Sequence, residues 1–218
     1  MEDKYEEAKI PGAKAPEPLD KSMYKSKKSY ICKIFGKVIG TGFFCKIVYQ
    51  NELIPVLITT YQVIGDEFVQ SNNSLKVFIN EEYKSININE NKIIYSSQRD
   101  KYDIIIIRLN DGEIKDYLEI DENIFKNSEL AYKDEPIYLL YYSGEDKEAK
   151  VSTSDKGIEK LDEYNIKHFC NTELGSSGSP ILSAMTDKII GIHQAGIMRG
   201  NYKIGVFLKY PLSELNGN

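Results

Sequence analysis

The chain has no tryptophan, only three cysteines and only two histidines among its 218 residues. Three cysteines, Cys32, Cys45 and Cys170, cannot all pair within one chain. Their spacing fits neither a zinc site nor the disulfide framework of a small secreted domain, so reduced thiols are expected and no metal or cofactor is implied. Long apolar runs are also missing. None reaches the ~18 residues of a membrane span, and the opening MEDKYEEAKIPGAKAPEP lacks the apolar core of a signal peptide. The expectation is a cytoplasmic protein, or a fragment of a larger one, that does not meet a membrane. An excess of positive charge is lacking too: 28 basic against 33 acidic residues give a formal charge of −5, with no basic stripe to neutralise phosphates. Nucleic acid is therefore disfavoured as a partner. The densest basic run, Lys25 to Lys28, reads as a solvated tail. A sustained helical period is absent except weakly at 211–216.

What the chain has is a β texture. Hydrophobic residues make up 41% and charged residues 28%, the balance of an ordinary globular protein, and the Ile and Tyr excess favours strands. Residues 1–29 are charged and carry Pro11, Pro16 and Pro18, which predicts an extended or poorly ordered leader. From Tyr30 onward short apolar runs recur about every ten residues between Gly, Asn, Asp and Ser clusters. Strands are expected at 30–39, 42–49, 54–59, 75–79, 85–95 and 103–109, and again at 136–142, 148–154, 163–170, 180–184, 188–195 and 203–208. The polar stretch 113–135 reads as a crossing between two lobes, 30–112 and 136–218.

The sharpest local signal is Gly175-Ser176-Ser177-Gly178-Ser179-Pro180 ahead of Ile181-Leu182. A serine between glycines on a tight turn exposes its hydroxyl, and successive N–H groups around it can converge as an oxyanion hole. Read alone, the segment is equally a Gly/Ser turn between strands. The order of segments adds weight. Gly40-Thr41-Gly42-Phe43-Phe44-Cys45 precedes Val56-Leu57-Ile58-Thr59-Thr60-Tyr61-Gln62-Val63-Ile64. Tyr102-Asp103 then opens a run of four isoleucines, and Gly191-Ile192-His193-Gln194-Ala195-Gly196 follows the serine turn. Over residues 30–210 this series resembles the chymotrypsin-fold serine proteases, in their intracellular and bacterial trypsin-like branch. The resemblance implies an all-β fold of two six-stranded antiparallel β-barrels packed side by side.

It also implies roles. Ser177 matches the nucleophile, Asp103 the orienting carboxylate, and the N–H groups of Gly175 and Ser177 the oxyanion donors. The family's general-base histidine closes a Thr-x-x-His-Val segment, and here that position is Gln62. A carboxamide neither takes the serine proton nor returns one to the leaving amine at accessible pH, although Gln62 is able to hydrogen-bond both Asp103 and Ser177. Thr172 and His193 match the residues that bind a Glu or Gln side chain in the members that cut after those residues. Gln194, Ala195 and Gly196 match the edge along which a peptide adds as a strand. His168 reads as a structural strand residue. Secreted members carry, just before the nucleophile, an Asp that pairs with a new N-terminus. Ser176 stands there, so the turn must be set by local bonding. Two functions are weighed: a catalytically inactive homologue that binds a peptide or protein, and a weak endopeptidase preferring Glu or Gln.

Overall fold

The computed structural model describes residues 8–69, 74–89, 91–144, 147–196 and 201–217. β1 (Glu17–Pro18) precedes β2 (Ile31–Phe35), β3 (Ile39–Tyr49), β4 (Glu52–Thr59), β5 (Ser74–Ile79), β6 (Glu82–Asn87), β7 (Ile93–Ser97) and β8 (Ile104–Arg108). Then come β9 (Ile137–Tyr142), β10 (Ala149–Ser154), β11 (Glu159–Lys160), β12 (Asn165–His168), β13 (Pro180–Ser183), β14 (Ile189–Gly196) and β15 (Lys203–Phe207). Two antiparallel sheets result, seven strands ordered β6-β5-β2-β3-β4-β8-β7 and eight ordered β1-β10-β9-β13-β14-β15-β12-β11. The fold is a double β-barrel-like, all-β architecture, with the first-half strands in one sheet and β1 plus the second half in the other.

Turn chemistry sets the first sheet's register. Gln50 and Asn51 (φ 50° and 65°) join the Tyr49–Glu52 pair, and Asn80 and Glu81 (φ 46° and 68°) join Ile79 to Glu82. Positive φ at both central residues is the type I′ form, whose twist matches that of the flanking strands. The strand counts differ from six per lobe for local reasons. The stretch 85–95, expected as one strand, is broken: the Asn89 carbonyl and Oδ1 accept the Lys92 N–H at 2.9 and 3.0 Å, and the chain re-enters as β7. An Asn that bonds its own downstream backbone ends a strand. The second sheet gains the two-residue strands β1 and β11.

Among the described residues, four short α-helices punctuate the sheets, α1 (Tyr61–Ile64), α2 (Asp66–Val69), α3 (Asn123–Lys126) in the inter-lobe stretch, and α4 (Lys209–Leu215), where the weak helical signal lay, along with 3-10 turns at Leu19–Lys21, Lys25–Tyr30 and Glu129–Tyr132. Part of the leader is tied down. Ile10 and Leu19 are buried, Glu17 and Pro18 pair with Val151 and Lys150, and the Ile10 N–H donates to Asn171 Oδ1 at 2.7 Å.

The isoleucine run explains how the core is shared. Alternate side chains of a strand point to opposite faces: Ile104 and Ile106 join a cluster that also holds Leu139, Ile181, Ile192 and Val206 of the second sheet, whereas Ile105 and Ile107 pack with Ile34, Leu57 and Val77. Both faces of β8 are covered, hence an unbroken apolar run rather than an alternating one. Each such side chain contributes about 1.5–3 kcal/mol of burial.

Candidate active site

β4 and β8 are neighbours, with Thr59 opposite Ile105, so the end of one strand lies beside the start of the other. This places Gln62, in α1, next to Asp103. Asp103 sits in the left-handed region at φ 46°, where Asp is more readily accommodated than most non-glycine residues. Its N–H donates to the Gln98 carbonyl at 2.9 Å, its carbonyl accepts the Tyr61 N–H at 3.3 Å, and its Oδ1 accepts the Gln62 N–H at 2.9 Å. The residue is 3% exposed. Burial pushes its carboxyl up to about 6, against the opposing pull of the Gln62 N–H and the Arg99 charge.

The Gln62 side chain is occupied elsewhere. Its Nε2 donates to the main-chain carbonyl of Gln194 at 2.8 Å, and Gln194 Nε2 in turn donates to the Tyr102 carbonyl at 2.9 Å. The bond to Asp103 expected of the carboxamide is made instead by the Gln62 main-chain N–H.

Ser177 lies on the turn between Thr172 and β13, held from both sheets. The Thr41 N–H donates to the Ser177 carbonyl at 2.8 Å. Thr41 Oγ1 donates to the Gly175 carbonyl at 2.7 Å and accepts the Tyr142 N–H at 3.0 Å, while the Thr41 carbonyl accepts Thr59 Oγ1 at 2.7 Å. From the second sheet, the Gly178 N–H donates to the His193 carbonyl and the His193 N–H to the Ser179 carbonyl, both at 2.9 Å. Ser179 Oγ also donates to the Ser176 carbonyl. Gly175, at φ 92°, is the third residue of a turn closed by the Ser176 N–H on the Glu173 carbonyl at 3.1 Å. Positive φ there marks a type II turn. A side chain is excluded as well as strained at both glycines: a Cβ on Gly175 falls 2.6 Å from the Tyr142 carbonyl oxygen, and one on Gly178, at φ 88°, falls 2.1 Å from that of Thr41.

Thr172 and His193 are both buried. His168 is bonded to His193, Nε2 to Nδ1 at 2.9 Å, with the rings edge to face. If His168 donates, the His193 proton sits on Nε2, at the ring edge away from its partner. The residue before Thr172, Asn171, fastens the leader: besides accepting from Ile10, its Nδ2 donates to the carbonyls of Ala13 and Lys14 at 3.1 and 3.0 Å. Gln194, Ala195 and Gly196 end β14, whose register against β15 shifts between His193 and Ala195. A cavity of about 640 Å³ lined by Lys46, Val48, Leu118, Phe125 and Leu212 shares no residue with this site. Thr41 and His168 were not picked out as site residues from sequence, although Thr41 stands inside the Gly-Thr-Gly motif. No cluster of metal-ligating side chains occurs among the described residues.

Two antiparallel barrel-like sheets with a Gly-Ser-Ser-Gly turn, a buried aspartate and a short helix meeting between them define the trypsin-like architecture. The trypsin-like peptidase domain matches residues 40–192, and the chain belongs to that family. Among solved structures it resembles a Glu endopeptidase in complex with MPD (16% identity, TM-score 0.66, covering 94% of this chain and 96% of that one). The serine protease domain of the Sesbania mosaic virus polyprotein is similar at 16% identity and TM-score 0.63, over 91% and 96% of the two chains. So is an inactive form of the M. tuberculosis protein Rv3671c, a serine-to-alanine mutant, at 14% identity and TM-score 0.64 over 94% and 96%. No curated protein sequence matches the chain. No helix among the described residues is long and apolar enough to cross a membrane.

Proposed function

We propose that this domain is a catalytically inactive trypsin-like homologue that binds peptides, or an extended segment of a protein partner, in the groove between its sheets. The observation that carries the reading is the position of Gln62: its N–H holds Asp103 and its carboxamide holds the Gln194 carbonyl. It fills the general-base position with a group that does not titrate. Ser177 then lacks a proton acceptor, and in a Ser-His-Asp enzyme loss of the base lowers turnover by about 10⁶, roughly 8 kcal/mol of barrier. Thr172 and His193 form the pocket for one side chain, and a Glu or Gln fits their hydrogen-bonding groups. The 194–196 edge supplies main-chain partners for the peptide strand.

The reading is tested by Gln62→His. The parent is expected to leave a fluorophosphonate and a Glu/Gln peptide library untouched, while Gln62→His gains several decades of cleavage and labels at Ser177. Cleavage by the parent at rates near those of the variant refutes the inactive assignment and supports an endopeptidase using another base.

A further inference from the structure

We infer that the Gln62 carboxamide is a latch on the edge of β14: it holds the main-chain carbonyl of Gln194 in the free domain and gives it up to an extended peptide. The inference rests on the peptide-groove reading and adds the step by which that groove opens.

β14 outruns its neighbour. β13 begins at Pro180, opposite Ile192, and the serine turn carries the contact one residue further, through the bonds of His193 with Gly178 and Ser179. Beyond His193, no strand among the described residues pairs with that side of β14. On the other side, His193 stands opposite Gly205 and Ala195 opposite Ile204, so Gln194 is an extra residue in the register with β15. A bulge takes such a residue out of the ladder and re-aims its groups. Those of Gln194 turn to the first barrel: its carbonyl accepts Gln62 Nε2 at 2.8 Å and its Nε2 donates to the Tyr102 carbonyl at 2.9 Å. With the bond from the Gln62 N–H to Asp103 Oδ1 at 2.9 Å, residues 62, 194, 102 and 103 close a ring. It joins α1 and the approach to β8 to the end of β14.

A peptide added to a sheet edge binds through main-chain groups, and the Gln194 carbonyl is an acceptor within the stretch 194–196. A carbonyl oxygen has two lone pairs, but a peptide backbone within reach of this one needs the room in which the carboxamide stands at 2.8 Å. The two donors therefore compete. Opening the latch costs little elsewhere. Gln62 is half-buried, so its freed carboxamide finds water, and Asp103 keeps its bond because that bond comes from the Gln62 main chain. In the free domain the carboxamide spares the carbonyl the cost of lacking a partner. The residue that removes the general base thus also closes the peptide edge.

The probe is the tightest-binding member of the Glu/Gln peptide library, labelled with fluorescein, amidated at the C-terminus and read by fluorescence anisotropy. It is titrated against the parent, Gln62→Ala and Gln62→Met, whose side chains have no donor for the carbonyl. Both variants are expected to bind about fivefold more tightly than the parent, the order of one net hydrogen bond no longer broken on binding. Versions of the probe N-methylated at one main-chain nitrogen at a time locate the competing donor: at one position the methyl group removes the gain, and parent and variants bind alike. Thermal unfolding checks the variants. In the parent, the Gln62 Nε2 proton resonances should move upfield on saturation with the probe, which reads the latch even where neither variant folds. Binding by the parent as tight as by either folded variant, or carboxamide resonances unmoved in the peptide complex, overturns the latch and leaves the groove standing. If no member of the library binds parent or variant, the groove reading itself fails and this inference with it.

Discussion

Replacing Asp103 by Asn isolates the cost of holding a carboxylate whose burial outweighs the pull of the Arg99 charge and the Gln62 N–H. Its carboxyl is raised from 3.8 to about 6, chiefly by burial. A carboxyl raised on folding makes the native state bind its proton more readily than the unfolded chain does. Its favourable contribution is therefore complete below about 4 and is lost as pH rises through about 6. At about 1.4 kcal/mol per pH unit the penalty approaches 3 kcal/mol at pH 8. Asn tolerates the same left-handed backbone and keeps an oxygen for the Gln62 N–H, but does not titrate. Urea unfolding of both proteins between pH 4 and 8 should show near-equal stabilities at the acid end and an advantage for Asp103→Asn growing to about 3 kcal/mol by pH 8. Other titrating groups are common to both proteins and cancel in the difference. Parallel curves across this range refute the argument. In a Gln62→His background the difference should shrink wherever the imidazole is charged, since a neighbouring cation favours the ionised carboxylate.

Thr41→Val keeps the shape of the side chain but removes the donor to the Gly175 carbonyl and the acceptor for the Tyr142 N–H. Denaturant unfolding should register a loss of about 3 kcal/mol, with Thr41→Ser retaining most of it; a change within 0.5 kcal/mol, the scatter of neutral surface changes, counts against Thr41 as the tie. Gly178→Ala, at φ 88° with its Cβ 2.1 Å from a carbonyl oxygen, should lose about 3 kcal/mol or more; a parent-like melting temperature contradicts the turn geometry. Burial raises the thiols of Cys32, Cys45 and Cys170 well above their ordinary value. Ellman's reagent should therefore react slowly with the native protein and count three free thiols in denaturant, and a lower denatured count would reveal a disulfide.

The all-β class was legible because β-branched and aromatic runs punctuated by Asn, Gly and Ser leave few other arrangements. The serine turn was legible because its glycines are required by positive φ and by close backbone approach. The break at Asn89 was not, because one side-chain bond to the backbone outweighed a run of strand formers around it. Nor was the partner of His168. A histidine on a short strand gives no sign of its cross-sheet neighbour until β12, β15 and β14 are placed in order, and that order comes from non-local pairing. Thr41 was visible as part of a motif, but its role as a four-way tie depends on two barrels meeting, which no local pattern encodes.

How much a base introduced at position 62 can achieve depends on how much of the site rests on the glutamine side chain. Asp103 is fixed by three bonds to or from the main chain, at Gln98, Tyr61 and the N–H of residue 62, and none of these uses the carboxamide. The serine turn is fixed by Thr41 on one side and His193 on the other. Among the described residues, the contact with the Gln194 carbonyl is the hydrogen bond that the Gln62 side chain makes, and an imidazole also has a donor to offer there. The substitution therefore changes the chemistry of one group while its neighbours keep their anchors. If Gln62→His folds as stably as the parent yet stays at background, the defect lies in the presentation of Ser177 or in the pocket. In that case labelling of Ser177 by a fluorophosphonate, which needs the nucleophile and the oxyanion turn but not the peptide pocket, separates the two.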